Sequence, residues 1–233
     1  MRIVTTSNTQ AQRNSPISQF VSSVWPLALV FLASACVMVI EIVAGRLIAR
    51  HVGTSLYTWT SIIAVVLAGV ALGNYLGGWI GDRSNERSSR NALSLLFFVS
   101  ALLSLSILWV HWIAFDLAAT LALSWPMRIL FGVTATFLLP SIALGAISPV
   151  VAAVALRRST RIGGTIGGLY AWGSIGAIAG TLATGFVLIP AFGTSLILFI
   201  VALCLGLIGF IVAPSLKSIV GLGVLFGVAL ATS

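Results

Sequence analysis

The sequence predicts an all-α membrane protein, a bundle of six or seven transmembrane helices, and two observations carry that reading. Hydrophobic residues make up 59% of the chain and charged residues 7%, with a mean hydropathy of +1.16, whereas a soluble domain has roughly a quarter of its residues charged. The apolar residues also fall in runs close to the roughly 20 residues that a helix needs to cross the hydrocarbon core of a bilayer. A soluble fold could not hide so much apolar surface, and 233 residues leave room for six or seven such runs.

The elements follow in chain order. Residues 1–23 are rich in Ser, Thr, Asn and Gln, with Arg2 and Arg13 as the only charges; such a composition builds no core and reads as a flexible cytoplasmic tail. The transmembrane domain is expected over 24–233. Its first apolar run, 25–45, is too long for a signal-peptide core. Within it Ala33-Ser34-Ala35-Cys36 loosely resembles a lipoprotein processing site, but Val37, Met38, Val39 and Ile40 continue the same run, so no cleavage is expected. Further spans are predicted at 57–80, 92–112, 128–156, 164–189 and 195–213. A last apolar stretch, 218–231, follows Pro214 and Lys217; it is short for a span and reads either as a seventh helix or as an interfacial segment. Cys36 and Cys204 lie in apolar runs, where cysteine acts as a small hydrophobe.

The net charge of +8 would suggest nucleic acid in a soluble protein. Here the basic residues sit in short loops between apolar runs and act as topology signals, so no nucleic-acid partner is expected. Arg2, Arg13, Arg83, Arg87, Arg90, Arg157, Arg158, Arg161 and Lys217 fall on one side, against Arg46, Arg50 and Arg128 on the other. The richer side is assigned to the cytoplasm, with the N-terminus, in a bacterial inner membrane. Trp109, Trp112 and Trp125 near the outer ends of their spans, and Trp79 near an inner end, fit an aromatic belt.

Several residues carry more than topology. Gly69, Gly73, Gly77 and Gly81 recur every four residues, which stacks them on one helical face that a second helix can approach closely. Gly176 and Gly180 belong to a second glycine-rich span that also holds Gly164, Gly167, Gly168, Gly173 and Gly185. Both faces read as helix packing or as sliding surfaces. Glu41 is the one acidic residue well inside an apolar run, and an ionisable group at membrane depth is a functional candidate by default. Placed about one turn from the expected end of the first span, it is open to neutralisation by Arg46 or Arg50, or to a cavity where it would attract a cation or carry a proton. Asp116 reads as a solvated loop residue. Pro140 and Pro149 are expected to break the fourth span. The two histidines, His51 and His111, are far apart in the chain; with no metal-spaced cluster, cofactor motif or nucleophile motif, the sequence offers no catalytic residue, and the chain is not read as an enzyme acting alone.

Gly77-Gly78-Trp79-Ile80-Gly81-Asp82-Arg83, followed by Glu86, Arg87 and Arg90, resembles the signature loop between the second and third helices of the major facilitator superfamily. In this loop Asp82 is expected to pair with a basic residue or cap the next helix, and Arg83 and Arg87 to anchor at lipid headgroups. Asn85 and Glu86 depart from the signature, which prefers a glycine and a basic residue there.

More of the chain resembles the membrane domain of fused bacterial spermidine synthase-like proteins. The resemblance rests on 39–49 with Glu41, Gly45 and Arg46, on Gly53-Thr54-Ser55-Leu56-Tyr57-Thr58-Trp59, on Gly73-Asn74-Tyr75-Leu76-Gly77-Gly78 and on 168–176 with Tyr170 and Trp172. That domain is similar to half of a major facilitator transporter and is usually joined to a cytoplasmic aminopropyltransferase-like domain, of which this sequence carries no segment. The resemblance implies a membrane module that binds a small, polyamine-like cation or docks a partner, with Glu41, Arg46, Tyr170 and Trp172 as ligand-binding candidates. A separate transferase-like chain or other membrane subunits are the partners implied besides the lipid bilayer. Two other readings stay open: a half-sized facilitator-type transporter acting as a dimer, and a structural subunit of a larger membrane complex.

Overall fold

The computed structural model describes residues 16–121 and 123–214, and these are helical apart from short connections. In chain order they form α1 (Pro16–Val52), α2 (Leu56–Arg83), α3 (Glu86–Thr120), α4 (Trp125–Gly145), α5 (Ile147–Arg157), α6 (Ile162–Ala183) and α7 (Thr194–Val212). A π-helical turn, Thr184–Leu188, and a final turn, Ile189–Ala191, prolong α6. Six segments are long and apolar enough to cross a membrane: Val24–Val52, Leu56–Arg83, Arg87–Thr120, Trp125–Arg157, Ile162–Ala191 and Thr194–Val212. The expected stretch 218–231 lies outside the described residues.

Local chemistry explains where the helices stop. Gly53, at φ 72°, takes the left-handed conformation that closes α1, and its amide donates to Ala49 O at 3.0 Å. Two residues on, Ser55 caps α2 by accepting from the Thr58 amide at 3.2 Å, while the Thr58 hydroxyl donates to Gly53 O at 3.1 Å. The fourth span divides at Ala146 into α4 and α5. Pro149 has no N–H to donate to the carbonyl of Gly145, so the helical ladder is interrupted between the two prolines rather than at either.

Helix α1 is the hub and touches each of the other helices. Its closest partner is α6; α2 packs along α4 and α5, and α3 along α4 and α7. Large apolar side chains such as Phe97, Phe137, Leu47, Ile48, Leu105 and Ile147 fill the centre at 2% exposure or less. Glycines set two of the helix crossings. A Cβ at Gly73 or Gly77 would strike the main chain at Ile142 and Ala146, and one at Gly145 would lie 2.8 Å from Val70 O. On the other side, a Cβ at Gly176 would strike Phe31 O, and one at Gly180 would lie 2.5 Å from Ala35 O. In both places the backbones touch because no side chain separates them.

Candidate functional site

Interhelical polar contacts gather at the two ends of the bundle. At the end carrying Arg83, Arg90 and Arg157, the basic end, Arg90 donates to Val212 O at 3.1 Å and Ser94 to Gly209 O at 2.8 Å. Arg157 donates to Gly81 O at 2.5 Å and to Ser89 Oγ at 3.4 Å. At the opposite end Arg50 donates to Thr194 Oγ1 at 2.9 Å, tying the end of α1 to the start of α7. His51 stacks on Phe115 with ring centroids 4.7 Å apart and meets His111 edge-on at 5.2 Å. The histidines, distant in sequence, are thus neighbours; His51 Nε2 and His111 Nδ1 lack hydrogen-bond partners among the described residues. No third His, Cys, Asp or Glu joins them into a possible metal group among the described residues.

Glu41 lies deeper than the sequence placed it. Helix α1 continues to Val52 instead of ending near Gly45, which leaves the carboxylate about 16 Å, or three turns, from the helix end. The expected neutralisation by Arg46 or Arg50 does not occur. Along a helix these positions are rotated by about 140° and about 180° from Glu41, so they point to other faces; Arg46 is exposed and Arg50 is engaged with Thr194. Glu41 is partly exposed and forms no hydrogen bond or ion pair among the described residues. It shares its face of α1 with Gly45 and Ser34. A Cβ at Gly45 would lie 2.7 Å from the Trp59 ring of α2, and the Ser34 hydroxyl lies 3.3 Å from where a Cβ would sit on Gly173 of α6. Along α1, Glu41 thus lies between the level where α6 packs at Ser34 and the level where α2 packs at Gly45.

Tyr170 and Trp172 do not join it. Trp172 packs edge-on against Phe31 at 6.1 Å, and Phe31 is about 15 Å from Glu41 along α1; Tyr170 is 76% exposed. The four ligand-binding candidates are therefore spread over different depths. In the connection after α2, Asp82 and Arg83 occupy the last helical turn, and Arg83 lies over the Trp79 ring at 4.1 Å. Asp82 is exposed and caps nothing: the N-cap of α3 is Asn85, without a side-chain cap. Arg87 is exposed in the first turn of α3, and Asp116 is exposed but helical, within α3 rather than in a loop.

A cavity of about 560 Å³ opens at the basic end, with Arg90, Arg158 and Arg161 among its lining residues. In the sequence these arginines read as topology signals only. Arg90 lies in α3, and Arg158 and Arg161 lie in the connection between α5 and α6, nearly 70 residues on, so nothing in the spacing announces that the first meets the other two.

Comparison with family models, with curated proteins and with solved structures finds no match for this chain.

Proposed function

We propose that this multi-pass membrane protein is a binding and docking module whose Glu41 carboxylate, on α1 between the levels where α6 and α2 pack, receives a cationic group. One observation carries the reading: a carboxylate three turns inside an apolar span, partly exposed and without a partner among the described residues. A charge left against lipid is costly, so intramembrane carboxylates face a cavity or a partner. The cation is either a small molecule of polyamine type, in keeping with the resemblance of 39–49 to spermidine synthase-like membrane domains, or a basic side chain of a docked chain. A separate transferase-like chain is the soluble partner this reading favours, with any catalytic step on that chain. On this reading the bundle sits in a bacterial inner membrane, and the excess of arginine at its basic end favours a cytoplasmic side for that end.

The second reading is a half-sized facilitator-type transporter acting as a dimer. It is favoured by the fifth span, Ile162–Ala191, whose apolar window is 17% buried against 39% or more for the other spans. Among the described residues that helix packs mainly on α1, and a second copy across its open face and Glu41 would enclose a pathway.

Extraction of the native protein in a mild detergent, followed by size-exclusion chromatography and identification of what remains bound, tests the proposal. A bound transferase-like chain or organic amine, lost on Glu41→Gln, supports the first reading. A homodimer with amine flux abolished by Glu41→Gln supports the second. Retention of other membrane subunits, unaffected by Glu41→Gln, overturns both and leaves a structural subunit.

A further inference from the structure

We propose that the cavity at the basic end is a binding site for a phosphate group carried on an apolar body. The pocket lies where four spans begin or end: Trp25 near the start of the first, Arg158 just past the end of the fourth, Gly164 near the start of the fifth and Val212 at the end of the sixth. It is therefore at the level of the lipid headgroups. Arg90, Arg158 and Arg161 line one cavity of about 560 Å³, and no acidic residue lines it among the described residues.

Arginines that serve topology alone need no convergence, since the positive-inside rule counts charges without regard to where they gather. The neighbouring arginines illustrate the difference: Arg83 is stacked on Trp79, and Arg157 is bound to Gly81 O and Ser89. Arg90 has one donor on Val212 O, which leaves the rest of its fork available, and the Arg161 guanidinium has no partner among the described residues. Arg158 is already engaged, but Arg90 and Arg161 remain like charges at one space and repel each other unless an anion joins them. The helix adds to the field. Arg161 is the N-cap of α6 and supplies no side-chain cap, so the first amides of that helix and its dipole present positive potential at the same pocket, as in helix-terminus phosphate sites. Opposite the arginines, Leu93, Leu169 and Val212 provide an apolar wall. A phosphate suits this geometry because arginine binds it through two parallel donors, and the apolar wall suits an acyl chain or another hydrophobic substituent attached to it.

A phosphate of this kind comes from a lipid headgroup or from a soluble phosphate ester, and one experiment separates the sources. Native mass spectrometry of the purified protein with phosphatidylglycerol or phosphatidylcholine is run beside thermal unfolding with inorganic phosphate against sodium chloride at matched ionic strength. The variants are R158Q/R161Q, the charge-preserving R158K/R161K, the single variant R161Q at an exposed position, and R83Q outside the cavity. If the ligand is a lipid, phosphatidylglycerol is retained over phosphatidylcholine, and the preference falls by about tenfold or more in R158Q/R161Q but not in R83Q. If it is soluble, inorganic phosphate raises the unfolding temperature saturably in the wild type and in R83Q, and less in R161Q. Should R158Q/R161Q fail to fold, R161Q against R158K/R161K gives the same comparison. Equal lipid preference and equal phosphate response in the wild type and R161Q would overturn the proposal.

Discussion

Gly73 of α2 meets the main chain of Ala146 so closely that a methyl group at position 73 would lie 2.9 Å from the Ala146 nitrogen. The contact falls where the fourth span breaks between α4 and α5, so the smooth face of one helix rests on the interrupted ladder of another. Gly73→Leu is expected to destabilise the bundle by about 1–3 kcal/mol through overpacking. Among the described residues nothing lies within 4 Å of where a methyl group on Gly78 would sit, so Gly78→Leu should stay within about 0.5 kcal/mol of the wild type. Unfolding of both variants in one detergent checks the pair.

The α1–α6 crossing makes a parallel case. Gly176 faces the Phe31 carbonyl, whereas Gly167 has no neighbour within 4 Å of its Cβ position among the described residues. Gly176→Leu should loosen the fifth span, seen as faster proteolysis or hydrogen exchange across 162–191, and Gly167→Leu should leave exchange there unchanged. The crossing is vulnerable because α6 has little other support among the described residues, with 17% of its apolar window enclosed.

Much of this architecture is legible in the sequence, and the failures have physical causes. Apolar windows locate six spans because hydropathy is a property of local composition, and the four-residue glycine spacing identifies a packing face because 3.6 residues make one turn. The windows end early where a helix runs on through polar residues: 92–112 lies inside a helix that extends from Glu86 to Thr120. The tail boundary at residue 23 shifts for the same reason, with α1 starting at Pro16. Contacts between segments distant in the chain carry no local signal. The meeting of His51 with His111, and of Arg90 with Arg158 and Arg161, could not be read from spacing. The Glu41 pairing failed on helical phase, since neither Arg46 nor Arg50 shares its face.

The bond from Arg50 to Thr194 Oγ1, 2.9 Å long, joins the first and sixth spans at the end opposite the basic cavity. Arg50→Ala and Thr194→Val should each cost about 0.5–1.5 kcal/mol, with a double variant little worse than either single one. A double-mutant cycle on unfolding free energy measures that coupling.

Orientation is open to labelling. In a background with Cys36→Ala and Cys204→Ala, a cysteine at the exposed Ser88 is expected to resist a membrane-impermeant maleimide added to intact cells. One at Leu121, 40% exposed at the other end of α3, should react. The reverse pattern would invert the topology assigned from the arginine count.

The most direct test of the central claim is modification of Glu41 by dicyclohexylcarbodiimide, which enters the bilayer and reacts with protonated carboxyl groups in apolar surroundings. Only four Asp and Glu residues occur in the chain, and peptide mapping resolves Glu41 from the others. A carboxylate that receives a cationic group should be labelled in washed membranes and protected by spermidine, but not by sodium chloride at equal ionic strength, with no label in Glu41→Gln. Labelling of Glu41 to the same extent with spermidine, with sodium chloride and with neither would contradict a cation site at Glu41.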